Sequence, residues 1–287
     1  MTETTSINPL VSHFRQASIY IELPSKGKYW PEDTLNLTTT GELGIMSLTT
    51  KDEITLKTPD ALMNGQSVVD VIQSCCPGIS DAWAIPSIDV DTIIIAMRIA
   101  SYGNKMEVST ECPKCRTEIE HAVDLSYLLS TVKMPDYSKT TEVDDLTFYF
   151  KPQTYKEVNK YNKVRFEEQQ IMRNLVDIPE DTDQEEVRRM VHQQLDNLTN
   201  YNIELLATSI DYIVTKNGDK VTDLKFIKEY FENCSAKSSK QIRLDIDAIS
   251  KPAAIKPIDV VCINEECKNK YLMTLEFDYA SFFDQGS

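Results

Sequence analysis

Two cysteine pairs set the tightest constraint on this chain. Cys112 and Cys115 stand in "ECPKCRTEIE", and Cys262 and Cys267 stand in "VCINEECKNK". A C-x-x-C turn offers two thiolates at the tip of a hairpin, half of what tetrahedral zinc requires. "MEVSTECPKCRTEIEHAVDL" reads as strand, tight cysteine turn, strand, and "IDVVCINEECKNKYLMTLEFD" repeats that layout. Joined, they are the halves of a zinc ribbon in which a structural Zn2+, held by Cys112, Cys115, Cys262 and Cys267, stands in for a hydrophobic core. Residues 116–261 separate the halves, far beyond the usual ribbon spacing. The whole intervening block is therefore expected to be an insertion. Loop-closure entropy grows only logarithmically with length, so such an insertion is tolerable. Two unrelated hairpins with free thiols are the alternative.

The other cysteines compete weakly for a metal. Cys75 and Cys76 have apolar neighbours on a helical segment and read as core, and Cys234 falls at a helix end. His121, six residues past Cys115, could replace a thiolate, although a strand histidine is more often simply exposed. His13 and His192 have no ligand-like company. Four thiolates leave no open position for water, so the expected site is structural and not catalytic.

The 287 residues suffice for two domains, and Lys+Arg number 30 against 45 Asp+Glu, a formal charge of −15. That field repels phosphate backbones and favours basic partner surfaces. "MTETTSINPLVSHF" has no basic region followed by an apolar run, and "IDVDTIIIAMRIA" is too short and too charged to span a bilayer. The expectation is a soluble cytosolic product in which seven cysteines are thiols or metal ligands.

The expected fold class is α+β: an N-terminal β-hairpin and helices, a split four-cysteine zinc ribbon, and a long helical insertion between the two knuckles. The expected boundaries are a polar arm over 1–17, an N-terminal α+β domain over 18–103, ribbon halves over 104–125 and 256–280, and a mainly helical insertion over 146–250. "SIYIEL" alternates as a strand does, and "TLNLTTTGELGIMSLTT" reads as strand and turn. Thr58-Pro59 suits a helix start and Gly65 a stop; Ser67 can cap "VVDVIQSCC" and Ser87 "IDVDTIIIAMRIASY", with Gly103 just past the end. The last segment is rich in β-branched residues, but its caps and length favour a core helix over a strand. Thr154 with Glu157, and Thr182 with Glu185, have capping-box spacing. The second of these helices is expected to run as far as "DYIVTK". The acidic "VDIPEDTDQEE" between them reads as a solvated loop and helix start. Shorter helices are expected near Thr222 to Cys234 and Ser238 to Ile249, before a proline-bounded linker, "KPAAIKP".

No enzyme motif emerges. "SKGKY" resembles a phosphate-binding loop, but Glu22 holds the place of the required earlier glycine and Tyr29 that of Ser/Thr. G-x-G-x-x-G, G-x-S-x-G and H-E-x-x-H are all absent, and three scattered histidines give nucleophilic catalysis little material. A redox role for Cys112 and Cys115 lacks a thioredoxin-like setting.

Several phrases in order, "IELPSKGKYW", "TTKDEITLKTPDALMNGQSVVDVIQSCCP", "RIASYGNKMEVSTECPKC" and "FYFKPQTYKEV", resemble the T-even-type myovirus baseplate hub assembly protein family. The likeness covers about Tyr20 to Val158 and the terminal cysteine hairpin. It implies a non-enzymatic assembly or structural protein of the phage baseplate. Its partners would be hub or tail proteins, met in the host cytoplasm during assembly, with the virion baseplate as the alternative location and no small-molecule substrate. On that picture Lys26, Lys28, Tyr29 and Trp30, in a rigid turn, are candidate partner contacts; packing of the aromatics on the body is the alternative. A zinc-ribbon regulator that binds nucleic acid or polymerase is the rival function.

Overall fold

The computed structural model describes residues 8–58, 65–176, 184–275 and 282–283; side chains at 167–176, 184, 186–188, 190 and 194–195 fall outside it. The sheets are small and the architecture is mixed α and β. Strands β1 (Ala17–Ile21) and β2 (Leu43–Met46) pair antiparallel, with Tyr20 opposite Gly44 and Ile21 opposite Leu43. Helices α1 (Thr50–Leu56), α2 (Gln66–Cys75) and α3 (Ser87–Tyr102) follow.

α3 is the centre of the larger core. Its β-branched residues lower helix propensity by a few tenths of a kcal/mol each. Ile93, Ile94, Ile95, Ala96 and Met97 are all fully buried, and each large side chain there contributes about 1.5–3 kcal/mol. Burial therefore wins, and the segment is a helix as its length and flanks predict. Gly103, at φ 89°, ends it. Around α3 pack Leu23, Leu43, Ile45, Val69, Ile72 and Ile85, and from the far end of the chain Val260, Met273, Phe282 and Phe283. Cys75 and Cys76 lie in this core, as read from the sequence, and burial pushes both thiols up, Cys75 to about 11.

The first cysteine hairpin, β3 (Lys105–Glu111) with β4 (Glu118–Asp124), leads into α4 (Leu125–Thr131). Then comes a four-stranded antiparallel sheet in the order β5-β6-β7-β8. Its strands are β5 (Thr140–Val143), β6 (Leu146–Phe150), β7 (Ile210–Val214) and β8 (Lys220–Val221). The paired helices α5 (Tyr155–Val176) and α6 (Gln184–Thr208) leave from β6 and return to β7. Helices α7 (Leu224–Asn233) and α8 (Ala236–Ser250) cover this sheet. A second core forms here from Phe148, Phe150, Ile210, Ile213, Ile227, Phe231 and Ile242. The final hairpin is β9 (Ile258–Val261) with β10 (Lys270–Met273).

Several local expectations are corrected. "DYIV" is a strand, not the end of α6: Ile210 and Ile213, three apart and both buried in the second core, pair with β6 across a register shift, a tertiary gain that outweighs continuing the helix. "TKDEITL", whose first residue closes the segment read as strand and turn and whose remainder carries no expected element, is α1, capped reciprocally by Thr49 and Asp52. Gly65 is the N-cap of α2 at φ 72°, so Ser67 sits inside the helix, buried. Ser87 is the first residue of α3 after Pro86; its N–H donates to the Gln153 carbonyl at 2.7 Å. The α7 and α8 caps are Asp223 and Ser235, close to the expected starts. The Thr154–Glu157 capping box forms as read. The helix start proposed at Pro59, and Thr182 with most of the acidic loop, lie outside the described residues.

Candidate metal centre

Both cysteine hairpins turn the same way. Cys112 N–H donates to the Thr117 carbonyl at 2.9 Å, and Cys262 N–H to the Asn269 carbonyl at 2.8 Å. Arg116 N–H then reaches back to the Cys112 carbonyl, and Cys267 and Lys268 N–H to that of Asn264. The residue after each second cysteine, Arg116 at φ 59° and Lys268 at φ 43°, takes the left-handed conformation. Such a conformation in non-glycine residues costs of order 1 kcal/mol or more, and here it aims both sulfurs of each turn at one point.

The two turns bring that point together. The four sulfurs of Cys112, Cys115, Cys262 and Cys267 all lie within 4.8 Å of one another. Cys112 Sγ is 3.9 Å from Cys267 Sγ, and Cys115 Sγ is 3.5 Å from Cys262 Sγ. Zinc–sulfur bonds of about 2.3 Å in a tetrahedron place sulfurs about 3.8 Å apart. A disulfide needs about 2.05 Å. The observed spacing fits a metal and not a pair of covalent bridges. Cys112 and Cys262 are buried, Cys267 is half-buried and Cys115 is the most exposed. Thr110 Oγ1 and Tyr271 Oη, 2.9 Å apart, tie one hairpin to the other beside the cluster.

The sulfurs differ in their proton affinity. Hydrogen bonds from the Thr117 side chain, and then its backbone, pull Cys115 down to about 6. Burial pushes Cys112 up, but backbone N–H groups of Cys115 and Lys114 outweigh it and lower the thiol. Burial raises Cys262 to about 12. At Cys267 the Asn269 N–H pulls downward, yet burial and the facing Cys115 and Cys112 sulfurs leave it raised. The first knuckle thus favours thiolates and the second resists them. With all four ionised at this spacing, the sulfurs could hold a dication, whose charge would offset their repulsion.

His121 does not join the group. It sits half-buried on β4 opposite Val108, and the sulfurs assemble without it. The supporting residues Thr117 and Asn269 went unread in the sequence. Each stands two places after the second cysteine of its pair, and that shared offset is the signal that marks them.

The proposed contact turn divides in two. Lys26 and Lys28 are exposed, and Tyr29 is 42% exposed with its ring edge-on to Tyr137 at 5.3 Å. Trp30 packs on the first core, and its Nε1–H donates to Asp89 Oδ2 at 2.9 Å. The Asp89 carboxylate also accepts from Ser25 N–H at 2.8 Å and Ser25 Oγ at 2.5 Å. Burial nevertheless pushes this carboxyl up to about 6. Nothing in the sequence around Asp89, a first-turn acid of α3, marks it as buried; Asp52, held below the ordinary range by Thr49 and Arg15 against the pull of burial, is a second buried carboxylate.

The molecule is thus an α+β protein whose distant halves are closed by four convergent sulfurs, and among its described residues no helix is long and apolar enough to cross a membrane. It belongs to the family of T4 bacteriophage base plate proteins: the family model of that description matches residues 17–284. No curated protein and no solved structure matches the chain. Membership makes this a structural phage protein that meets other phage structural proteins and associates with the virion, and it extends the baseplate resemblance through the helical block that the quoted phrases left uncovered.

Proposed function

We propose that the protein is a non-enzymatic assembly or structural component of the baseplate hub. It acts through protein–protein contacts and is stabilised by one Zn2+ on Cys112, Cys115, Cys262 and Cys267. The supporting observation is the tetrahedron-sized sulfur cluster drawn from two distant hairpins of a chain whose family is a baseplate family. On this reading residues 104–125 and 256–280 form one ribbon and 146–250 an insertion. Metal closes the chain around the insertion, and the first core benefits because Met106, Val123, Val260 and Met273 of the same hairpins lie in it. Hub and tail proteins are the partners, met in the host cytoplasm, and Lys26, Lys28 and Tyr29 are contact residues.

The test is co-purification of the protein, wild type and Cys112→Ser, with individually expressed hub and tail proteins of the same phage, alongside metal analysis. Zinc at one per chain and a stable complex lost with the metal are expected. A metal-free wild type that still binds its hub partner would remove zinc from the account, and failure to bind any hub or tail protein would remove the hub.

A further inference from the structure

A cavity of about 350 Å3 opens where β1 runs into the "LPSKG" turn. Leu23, Pro24, Leu129, Val132 and Met134 line it, with Thr92 of α3 among them. Thr92 is 5% exposed, and among the described residues its hydroxyl has no hydrogen-bond partner. An unmatched buried hydroxyl costs about 1–3 kcal/mol, so an occupant with a polar tip would recover that cost.

Two further features describe the occupant. The β1–β2 sheet has only two strands, so among the described residues one edge of β1 is unpaired and leads towards the cavity. An unpaired edge accepts an extended segment, and a pocket beside it selects a side chain. At the rim Glu22 and Lys26 form an exposed ion pair, 3.2 Å apart. Exposed pairs are worth about 0–1 kcal/mol, so Glu22 can exchange its partner for an incoming cation. The formal charge of −15 favours the same sign.

We infer that this cavity is a docking site for an extended, basic segment of another protein, which adds to the β1 edge and seats one tyrosine against Leu23, Val132 and Thr92. The inference rests on the protein-contact reading above and goes beyond it by naming the site and the chemistry of its occupant. The space suits an aromatic ring and the hydroxyl suits its phenol.

The test uses the full-length protein with labelled methyl groups, titrated with acetyl-Lys-Tyr-Lys-amide and acetyl-Lys-Phe-Lys-amide. Saturable shifts are expected at the methyls of Leu23, Leu129 and Val132, with the tyrosine peptide about fivefold tighter, as one buried hydrogen bond provides. Thr92→Val should erase the difference between peptides, and Glu22→Gln should weaken both and flatten their salt dependence. Val132→Trp, at a half-buried loop position, should fill the cavity and abolish binding while core methyl dispersion persists. Absence of saturable shifts at these methyls, or an unchanged tyrosine preference in Thr92→Val, would overturn the inference. Zinc content and hub binding are measured on the same samples. If they hold while the peptides fail, the docking site falls and the proposed function stands.

Discussion

The two hydrophobic cores are assembled differently. The first is aliphatic, is centred on α3, and draws residues from Leu23 to Phe283. The second is rich in aromatics, with Phe148, Phe150 and Phe231, and all its buried members fall between residues 148 and 249. The second core can therefore close on itself. The first cannot be complete until the C-terminal hairpin returns, and contacts that distant in sequence form late because the loop entropy must be met first. The sulfur cluster lies on that seam. The chain thus places its one candidate metal site, among the described residues, where the loop over residues 116–261 has to be held shut.

Both tryptophans, Trp30 and Trp83, pack on the first core, so their fluorescence reports it alone, while far-UV circular dichroism also reads the insertion's helices. Cys262→Ser should have the largest effect: loss of metal and destabilisation of the tryptophan transition by about 5 kcal/mol or more, with the insertion's helical signal melting as before. If both signals moved together, the cores would be one cooperative unit. Phe148→Ala should do the reverse. It should cost about 3–5 kcal/mol in the second core and leave zinc content and the tryptophan transition in place.

Asp89 gives the first core a pH dependence of definite sign. Its folded-state carboxyl is raised to about 6 against about 3.9 in the unfolded chain. The contribution is complete below about pH 4 and is lost as the pH rises through about 6, a change on the order of 3 kcal/mol. Asp52, shifted downward, has the opposite sign: its contribution is present above the unfolded value and is lost on acidification. Urea unfolding of Asp89→Asn between about pH 4 and 7 should show the falling slope removed. An unaltered slope would assign it elsewhere. The smallest effect is expected at the junction. Thr154→Ala removes one cap of α5 and should cost about 1 kcal/mol, without changing metal content.

Much of this was legible in the sequence, for physical reasons that can be named. The cysteine pairs were readable because a metal site needs its residue types at fixed local spacing; their meeting across residues 116–261 required only that two half-sites seek each other. α3 was readable because its length and the Gly103 stop outweighed its β-branched content; the N-terminal cap read at Ser87 did not form. The boundary between α6 and β7 was not, since Ile210 and Ile213 fit a helix face as well as a strand until β6 is there to pair. Nor was Asp89, whose burial is created by Ser25 and Trp30 folding over it from a turn some sixty residues away. Thr117 and Asn269 were hidden because they act partly through backbone groups that any residue carries, and because their side chains meet the sulfurs only once the turns are formed.

The most direct measurement is metal content by mass spectrometry on the purified protein, with thiols counted before and after chelation. One zinc per chain is expected, with Cys112, Cys115, Cys262 and Cys267 protected until the chelator is added. No metal, and those four thiols reacting equally with and without chelator, would contradict the account: the two hairpins would then be separate elements, and the first core would stand without a clasp.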